Sequence, residues 1–244
     1  MKKIHLIMPM CGCGSRFAKE GFTLPKPLIQ LQGKPFFYWA TKSLSKLSNI
    51  MDITFIILQE HIDKFELDKK ILNYFPNAKI TILPEVLNGA VLTCIEGLKN
   101  IDDDNPVIFN DCDHAFQTTE FENFLNSNTD IDGGLLTFKS NENKFSYIQY
   151  DKDRNIIGTC EKVVVSNDAI CGAYYFKSKS IFLKYAELYL TNCPYKEFFL
   201  SGVYNEMFKD KKNINCFKTD FHLSFGIPEE FEKIKKDTIL KRLS

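Results

Sequence analysis

The fold of this chain is decided by residues 8–31, MPMCGCGSRFAKEGFTLPKPLIQL. A short apolar run, Ile4–Met8, leads into them and is typical of a buried strand. The chain then passes through Gly12 and Gly14, which have no side chains and so allow a tight turn with backbone N–H groups directed at an anion. Arg16 follows at once. A strand, a glycine loop and an arginine in this order predict a phosphate-binding turn.

Lys26 extends this pattern, because it stands between two prolines that restrict the backbone around it. Two common nucleotide-binding motifs do not fit the stretch. A dinucleotide fingerprint requires a third glycine at the position of Phe17, and a P-loop requires Ser or Thr after Gly-Lys, where this chain has Pro35. The stretch therefore predicts a polyphosphate site, and hence a nucleotide site, of another kind.

Apolar runs alternate with helical patterns through the first half of the chain, which predicts a parallel sheet with crossover helices. The predicted strands are Ile4–Met8, Ile53–Leu58, Ile80–Leu83 and Pro106–Phe109. The predicted helices between them are Pro35–Leu47, Phe65–Phe75 and Ala90–Leu98. This order is typical of one half of a doubly wound sheet.

The second half has shorter strands separated by polar turns, which suits antiparallel pairing. Its predicted strands are Gly134–Phe138, Ser146–Tyr150, Ile156–Thr159, Ile170–Phe176 and Ile214–Phe217, and its predicted helices are Ile181–Leu190, Phe198–Phe208 and Pro228–Leu243. The expected fold class is α/β, with a doubly wound, mixed and mainly parallel Rossmann-like sheet and a smaller antiparallel part. We expect one domain, 1–244, with a nucleotide-binding half, 1–130, and an acceptor-binding half, 131–244.

Composition excludes several classes of protein. The 31 basic and 31 acidic residues cancel, so no global field favours nucleic acid or an anionic membrane. No segment approaches the roughly 20 apolar residues of a membrane span, and the N-terminal apolar run is too short for a signal peptide. We therefore expect a cytoplasmic protein. Its eight cysteines form no CxxC pair, which argues against zinc and disulfides, and its 22 Phe and 10 Tyr are compatible with a homodimer.

Three linked motifs identify a family. Residues 12–16 (GCGSR), 25–28 (PKPL) and 33–35 (GKP) resemble, in order and spacing, the N-terminal signature of the sugar-phosphate nucleotidyltransferases. Weaker matches follow at residues 84–90 (PEVLNGA), 109–113 (FNDCD), 161–163 (EKV), 171–176 (CGAYYF) and 226–230 (GIPEE). The resemblance implies transfer of a nucleoside monophosphate from a nucleoside triphosphate to a phosphorylated small metabolite, with release of pyrophosphate.

The resemblance also implies roles for individual residues. Arg16 would bind the β- and γ-phosphates, Lys26 the α-phosphate, and Lys162 the acceptor phosphate. The other nucleotide-binding residues it implies are Met10, Cys11, Gly12, Gly14, Ser15, Pro84, Glu85, Asn88, Gly89 and Asp111. The acceptor-binding residues it implies are Glu161, Lys162 and Gly172. Asp111 and Asp113 would hold Mg²⁺, which prefers oxygen ligands.

One position departs from the family pattern. Where the family has an aspartate that completes the metal site, this chain has Ser224. Either the metal is held by the two aspartates together with the nucleotide's own oxygens, or the site is rearranged. Residues 10–14 (MCGCG) and 111–114 (DCDH) resemble capsule-associated cytidylyltransferases. That likeness implies CTP, an acceptor such as phosphoglutamine, and a role in surface or capsular polysaccharide precursor synthesis.

Two alternatives stay open from the sequence. A metal-dependent glycosyltransferase would use Asp111 and Asp113 as a D-x-D motif, but it leaves Arg16 and Lys26 unexplained. A non-catalytic nucleotide-binding subunit is suggested by Ser224 and would bind nucleotide without turnover. The chain's remaining candidates, His114 and His222, have no Cys or His at ligand spacing, so we expect them to be packed or surface residues.

Overall fold

The structure is a computed structural model that describes residues 3–127 and 129–243. Its strands are β1 (Ile4–Pro9), β2 (Gln30–Leu31), β3 (Lys34–Pro35), β4 (Ile50–Leu58), β5 (Lys79–Leu83), β6 (Val107–Asn110), β7 (His114–Gln117), β8 (Gly133–Lys139), β9 (Ser146–Tyr150), β10 (Ile156–Glu161), β11 (Asp168–Phe176), β12 (Ile214–Lys218) and β13 (Phe221–Ser224). Its helices are α1 (Ser15–Lys19), α2 (Phe36–Ser45), α3 (Gln59–Phe65), α4 (Leu67–Tyr74), α5 (Ala90–Gly97), α6 (Thr119–Leu125), α7 (Lys179–Asn192), α8 (Leu200–Lys209) and α9 (Pro228–Ile234). Two short 3₁₀ turns occupy Lys26–Leu28 and Ile239–Arg242.

The first half forms the predicted parallel sheet, in the order β5-β4-β1-β6. The inner strands are continuous apolar runs because helices cover both of their faces. Helix α5 lies close to the sheet through Gly97, where a Cβ atom would come within 2.3 Å of the Ile56 side chain. The carboxyl ends of β1 and β6 therefore open at one edge of a rigid sheet, as in other doubly wound folds.

The second half joins the same sheet through β11, which pairs antiparallel with β6. Strands β8 and β9 pair antiparallel with β11, and β10 pairs antiparallel with β9. Strand β12 pairs with β8 in the parallel direction. Within the described residues, nine strands thus form one mixed sheet. The α/β, Rossmann-like fold class is confirmed, and the antiparallel part continues the parallel sheet.

Two helix predictions are wrong in detail. The segment 65–75 is not one helix, because Glu66 adopts a left-handed conformation (φ 50°) between α3 and α4. This break turns Leu67 and Ile71 into the core, where both are fully buried. Helical periodicity continues across such a break and does not reveal it.

The terminal segment 228–243 is also broken, at residues 235–238. There Asp237 accepts a hydrogen bond from the backbone of Ile239, which starts the second 3₁₀ turn. The break returns Leu240 and Leu243 to the cluster that already contains Phe231. No prediction covered β7, β13 or α6, although β7 and β13 pair beside the site.

At the amino ends of the parallel strands, opposite the cavities, His5 links three segments of the chain. Its ring nitrogens lie 2.7 Å from Asp52 Oδ1 and 2.9 Å from Asp103 Oδ1, and the histidine is 2% exposed. Burial lowers the pKa of His5, but hydrogen bonds and charge from the two aspartates outweigh it, so that pKa is raised. No helix among the described residues is long and apolar enough to cross a bilayer.

Candidate active site

Two adjoining cavities open at the carboxyl ends of β1 and β6. The first cavity, of about 550 Å³, is lined among others by residues 9–17, by Lys26, and by Val86, Leu87, Gly89 and Ala90. The second cavity, of about 220 Å³, is lined by residues of β7, β10, β11, β13 and α9. Both cavities are lined by Arg16, Ala90, Asp111, Asp113, Lys162, Phe199 and Gly226. Arg16, Lys162 and the two predicted aspartates therefore lie where the cavities meet, whereas Lys26 lines only the first cavity.

The glycine loop is constrained at Gly14. Its φ is 58°, in the left-handed region, and a Cβ atom there would lie 3.4 Å from Lys26 Cβ. Gly12 differs, since a Cβ atom there would have no neighbour within 4 Å. The turn thus requires glycine at Gly14, whereas Gly12 keeps the first cavity open.

Phe17 fixes the end of this loop. Its ring is 1% exposed and packs edge-on against Phe22, Phe36 and Phe231. The preceding residue, Arg16, is exposed and makes no hydrogen bond or ion pair with the described residues. Phe17 fixes the backbone next to Arg16, and no described residue pairs with the Arg16 guanidinium. This guanidinium is therefore available to an anionic ligand.

Lys26 begins a 3₁₀ turn, and its ammonium reaches the aspartates. Its Nζ donates to Asp113 Oδ2 at 2.8 Å. Burial favours the neutral amine, but the charge of Asp113 outweighs it, so the pKa of Lys26 is raised. Lys26 is therefore a permanent cation at neutral pH, paired with an acid 87 positions away in sequence.

Asp111 and Asp113 follow β6 and are both partly buried. The Asp111 N–H donates to the Gly172 carbonyl at 2.9 Å, and the Asp113 carbonyl accepts from the Phe225 N–H at 2.9 Å. Burial and the charge of Asp113 raise the pKa of Asp111 to about 7. Burial also opposes ionisation of Asp113, but Lys26 outweighs it and lowers that pKa. The two acids thus form a crowded anionic pair that a further cation would stabilise.

Two glycines leave room for these acids. A Cβ atom on Gly172 would lie 2.8 Å from Asp111 Oδ2, and φ there is 81°. A Cβ atom on Gly226 would lie 2.6 Å from Asp113 Oδ2. Gly172 is therefore required both by its backbone and by the carboxylate beside it.

The two aspartates suit Mg²⁺. Within the described residues, no set of three or more His, Cys, Asp or Glu side chains is arranged to hold a metal ion. The Ser224 hydroxyl donates to Glu230 Oε2 at 2.7 Å, and that carboxylate also accepts the Gly226 N–H. Mg²⁺ is commonly bound by one or two carboxylates together with substrate phosphates and water, so a third protein carboxylate is not required.

Glu161 and Lys162 lie at the end of β10, where both line the second cavity. Glu161 is 8% exposed and accepts hydrogen bonds from Ser146 Oγ, at 2.5 Å, and from Ser201 Oγ. Burial raises its pKa. Lys162 places its Nζ 4.7 Å from the centroid of the Phe199 ring. The lysine thus lies at the junction of the cavities, beside the predicted phosphates.

Segment 84–90 meets the second half of the chain at Gly89. A Cβ atom there would lie 2.5 Å from the Phe198 backbone nitrogen, and φ is 97°. Gly89 lines the first cavity, as do Met10, Cys11, Gly12, Gly14 and Ser15. The other three predicted residues of the segment, Pro84, Glu85 and Asn88, line neither cavity.

Sequence reasoning missed several lining residues. The first cavity also contains Val86, Leu87, Thr93 and Glu197. The second cavity also contains His114, Lys144, Ser146, Tyr174, His222 and Glu230. His114 and His222 were expected as packed or surface residues, and both are packed here against the cavity. Val86, Leu87, His114, Tyr174 and Glu230 lie within the motifs quoted above, which could have indicated them, whereas no quoted motif contains Thr93, Lys144, Ser146, Glu197 or His222.

Comparison with known proteins adds the family. A model of the nucleotidyl transferase family matches residues 6–238. The chain belongs to this family. This nucleotidyl transferase is similar in structure to the nucleoside-diphosphate-sugar pyrophosphorylase from Vibrio cholerae RC9, with 21% identity over 95% of this chain and 99% of the other, and a TM-score of 0.79.

Two further structures share the fold of this nucleotidyl transferase. The inositol-1-phosphate CTP transferase from T. maritima is 15% identical over 97% of this chain and 98% of its own, with a TM-score of 0.75. A UDP-glucose pyrophosphorylase complexed with UDP-glucose is 16% identical over 96% and 97%, with a TM-score of 0.74. A search of curated proteins found no match. Family membership favours nucleotidyl transfer over the glycosyltransferase alternative.

Proposed function

We propose that this nucleotidyl transferase transfers CMP from CTP to a phosphorylated small metabolite and releases pyrophosphate. The observation that supports the proposal is that Arg16, Asp111, Asp113 and Lys162 line both cavities, with Lys26 paired to Asp113 from the first cavity. A triphosphate in the first cavity would thus present its α-phosphorus to an acceptor in the second. The first half of the chain, 1–130, would bind the nucleotide, and the second half, 131–244, would supply most of the acceptor site.

The reaction forms one P–O bond and breaks another. An acceptor phosphate oxygen attacks the α-phosphorus, and the bond to the oxygen that bridges the α- and β-phosphorus breaks in line, so pyrophosphate leaves with that electron pair. The acceptor phosphate is already anionic at neutral pH, so no general base is required. Catalysis then consists of positioning and of charge neutralisation.

Each cation has a separate task in this proposal. Arg16 holds the β- and γ-phosphates, whose oxygens fit its planar guanidinium. Lys26 neutralises the α-phosphate, and its ion pair with Asp113 keeps it extended toward the junction before the substrate arrives. Lys162 holds the acceptor phosphate from the opposite side. Asp111 and Asp113 would hold Mg²⁺, which when bound neutralises charge on the phosphate oxygens.

The choice of CTP is supported by the likeness of residues 10–14 and 111–114 to capsule-associated cytidylyltransferases. A CTP transferase acting on inositol 1-phosphate is also among the proteins that share the fold. For the acceptor we propose a sugar phosphate or a phosphorylated amino-acid amide such as phosphoglutamine. The product would serve the synthesis of surface or capsular polysaccharide precursors in the cytoplasm. The protein would act there as a monomer or as a homodimer.

Pyrophosphate release tests the proposal. The protein is incubated with Mg²⁺, each of the four nucleoside triphosphates in turn, and a panel of sugar phosphates, amino-alcohol phosphates and phosphoglutamine. We expect release with CTP and with a subset of the acceptors. Nucleotide binding without release under any combination would instead identify a non-catalytic subunit, and turnover of a nucleotide-sugar donor would identify a glycosyltransferase.

A further inference from the structure

The second cavity contains a lysine whose charge is shared by two carboxylates. Lys144 Nζ lies 2.7 Å from Glu230 Oε1 and 2.6 Å from Glu142 Oε2. Glu230 lines the cavity and is 9% exposed, whereas Glu142 is exposed and lies outside it. This group of three side chains, two carboxylates and one ammonium, has a net formal charge of −1.

Glu161 adds a further carboxylate to the same cavity. Its hydrogen bonds come from the uncharged hydroxyls of Ser146 and Ser201, so among the described residues it has no ion-pair partner. Lys162, its neighbour in sequence, directs its ammonium over the Phe199 ring instead. Away from its junction with the first cavity, the second cavity is lined by Lys144, Glu161 and Glu230, so this inner part has a net formal charge of −1.

His114 supplies an independent sign that this cavity binds a ligand. The side chain is 3% exposed, and neither of its ring nitrogens has a hydrogen-bond partner among the described residues. It lines the second cavity beside His222, with 5.6 Å between the ring centroids. A buried polar group without a partner costs free energy unless a ligand or water satisfies it. The cavity thus offers an unused hydrogen-bonding group next to its carboxylates.

We propose that the acceptor carries an ammonium group at the end opposite its phosphate, and that Glu230 and Glu161 bind this ammonium. The phosphate would lie at Lys162, and a ring nitrogen of His114 would bind a neutral polar group between the two ends. This inference rests on the proposed function and selects an amino-bearing phosphate over a neutral sugar phosphate. Lys144 already pairs with Glu230, so a neutral sugar would leave Glu161 as the buried carboxylate with no cation to balance it.

Matched acceptors test this inference. Pyrophosphate release is measured at pH 8 with CTP and Mg²⁺ for phosphoglutamine, for 2-aminoethyl phosphate, and for the neutral counterparts glucose 1-phosphate and 2-hydroxyethyl phosphate. We expect kcat/KM for the amino-bearing acceptors to exceed that for the neutral ones by at least about tenfold, as a charged hydrogen bond in a buried site provides.

Two variants and a control locate the effect. Glu230→Gln and Glu161→Gln should each lower kcat/KM for amino-bearing acceptors by roughly 10- to 100-fold. Neither should change the KM for CTP by more than about twofold, and each should lower kcat/KM for the neutral acceptors by a much smaller factor than for the amino-bearing ones. Glu229→Gln removes an exposed carboxylate next to Glu230 on α9 that lines neither cavity, so it should leave turnover of all four acceptors unchanged.

The outcomes separate the two proposals. Better turnover of glucose 1-phosphate than of the amino-bearing acceptors would overturn this inference and leave nucleotidyl transfer standing. An equal loss for both acceptor classes in Glu230→Gln and Glu161→Gln would also overturn it, because it would show a structural role. No pyrophosphate release with any acceptor would overturn the proposed function, and this inference with it.

Discussion

Replacing Lys26 by alanine tests the charge arrangement at the junction of the cavities most directly. The variant removes the ammonium that lies 2.8 Å from Asp113 Oδ2, and with it the proposed contact with the α-phosphate. Removing one preorganised donor from developing transition-state charge typically costs about 3 kcal/mol, which corresponds to roughly a 100-fold loss of kcat. We expect a loss of that size in Lys26→Ala.

The same variant should remain folded. The two side chains of the ion pair are 23% and 26% exposed, so solvent screens their attraction and its loss costs about 1 kcal/mol of unfolding free energy. A domain of this kind has about 5–15 kcal/mol in total. The loss of activity should therefore appear without a large change in the denaturation midpoint.

The assay compares steady-state pyrophosphate release by wild type, Lys26→Ala and a matched control. Lys19→Ala removes one positive charge from exposed helix α1, where Lys19 lines neither cavity. We expect the control to stay within about twofold of wild type, since a screened surface charge is worth well under 1 kcal/mol. A Lys26→Ala protein that is folded and keeps more than a third of the wild-type kcat would refute the role assigned to Lys26.

Gly89→Ala should lower the unfolding free energy by at least about 2 kcal/mol in urea titrations, because its Cβ atom would collide with neighbouring backbone at a positive φ. Gly12→Ala should leave stability unchanged and raise the KM for CTP, since its Cβ atom meets only open cavity; equal stability losses in both variants would contradict this. His5→Gln should destabilise the protein by about 1–3 kcal/mol at pH 6. The His5 pKa is raised, so this contribution is complete below its unfolded pKa and is lost as pH rises through the folded pKa. The gap between wild type and variant in unfolding free energy should therefore narrow toward pH 9, and a gap constant with pH would show that proton binding by His5 is not involved. At acidic pH, the stabilisation by His5 persists until the pH falls through the lowered pKa values of Asp52 and Asp103, because the two carboxylates then become protonated.

The parallel half of the fold could be predicted from the sequence because the patterns that indicate its strands and its glycine loop are local. Runs such as Ile53–Leu58 are apolar on both faces only when a strand is covered on both sides, and the glycine loop follows the first of these strands directly. The same locality explains the failure at Glu66, where a single left-handed residue divides a helix without interrupting its apolar spacing.

The candidate site was predictable only where one motif holds its residues together. Arg16 lies next to its glycine loop in sequence, and Asp111 and Asp113 follow one strand. The pairing of Lys26 with Asp113, and the contact of Ser224 with Glu230, depend on how separate segments pack around the sheet. No spacing rule relates such positions, so the lining of the second cavity had to come from the structure.

The anchoring of Phe17 has a consequence for biosynthesis. The glycine loop leaves the ribosome well before Phe231, one of the rings that hold it, because Phe231 lies far downstream in the sequence. A nascent chain that has not yet reached Phe231 therefore lacks one of the contacts that fix the end of the glycine loop. A prematurely terminated chain would instead expose the aromatic rings around Phe17 and Phe36, a surface that chaperones and proteases of cellular quality control recognise.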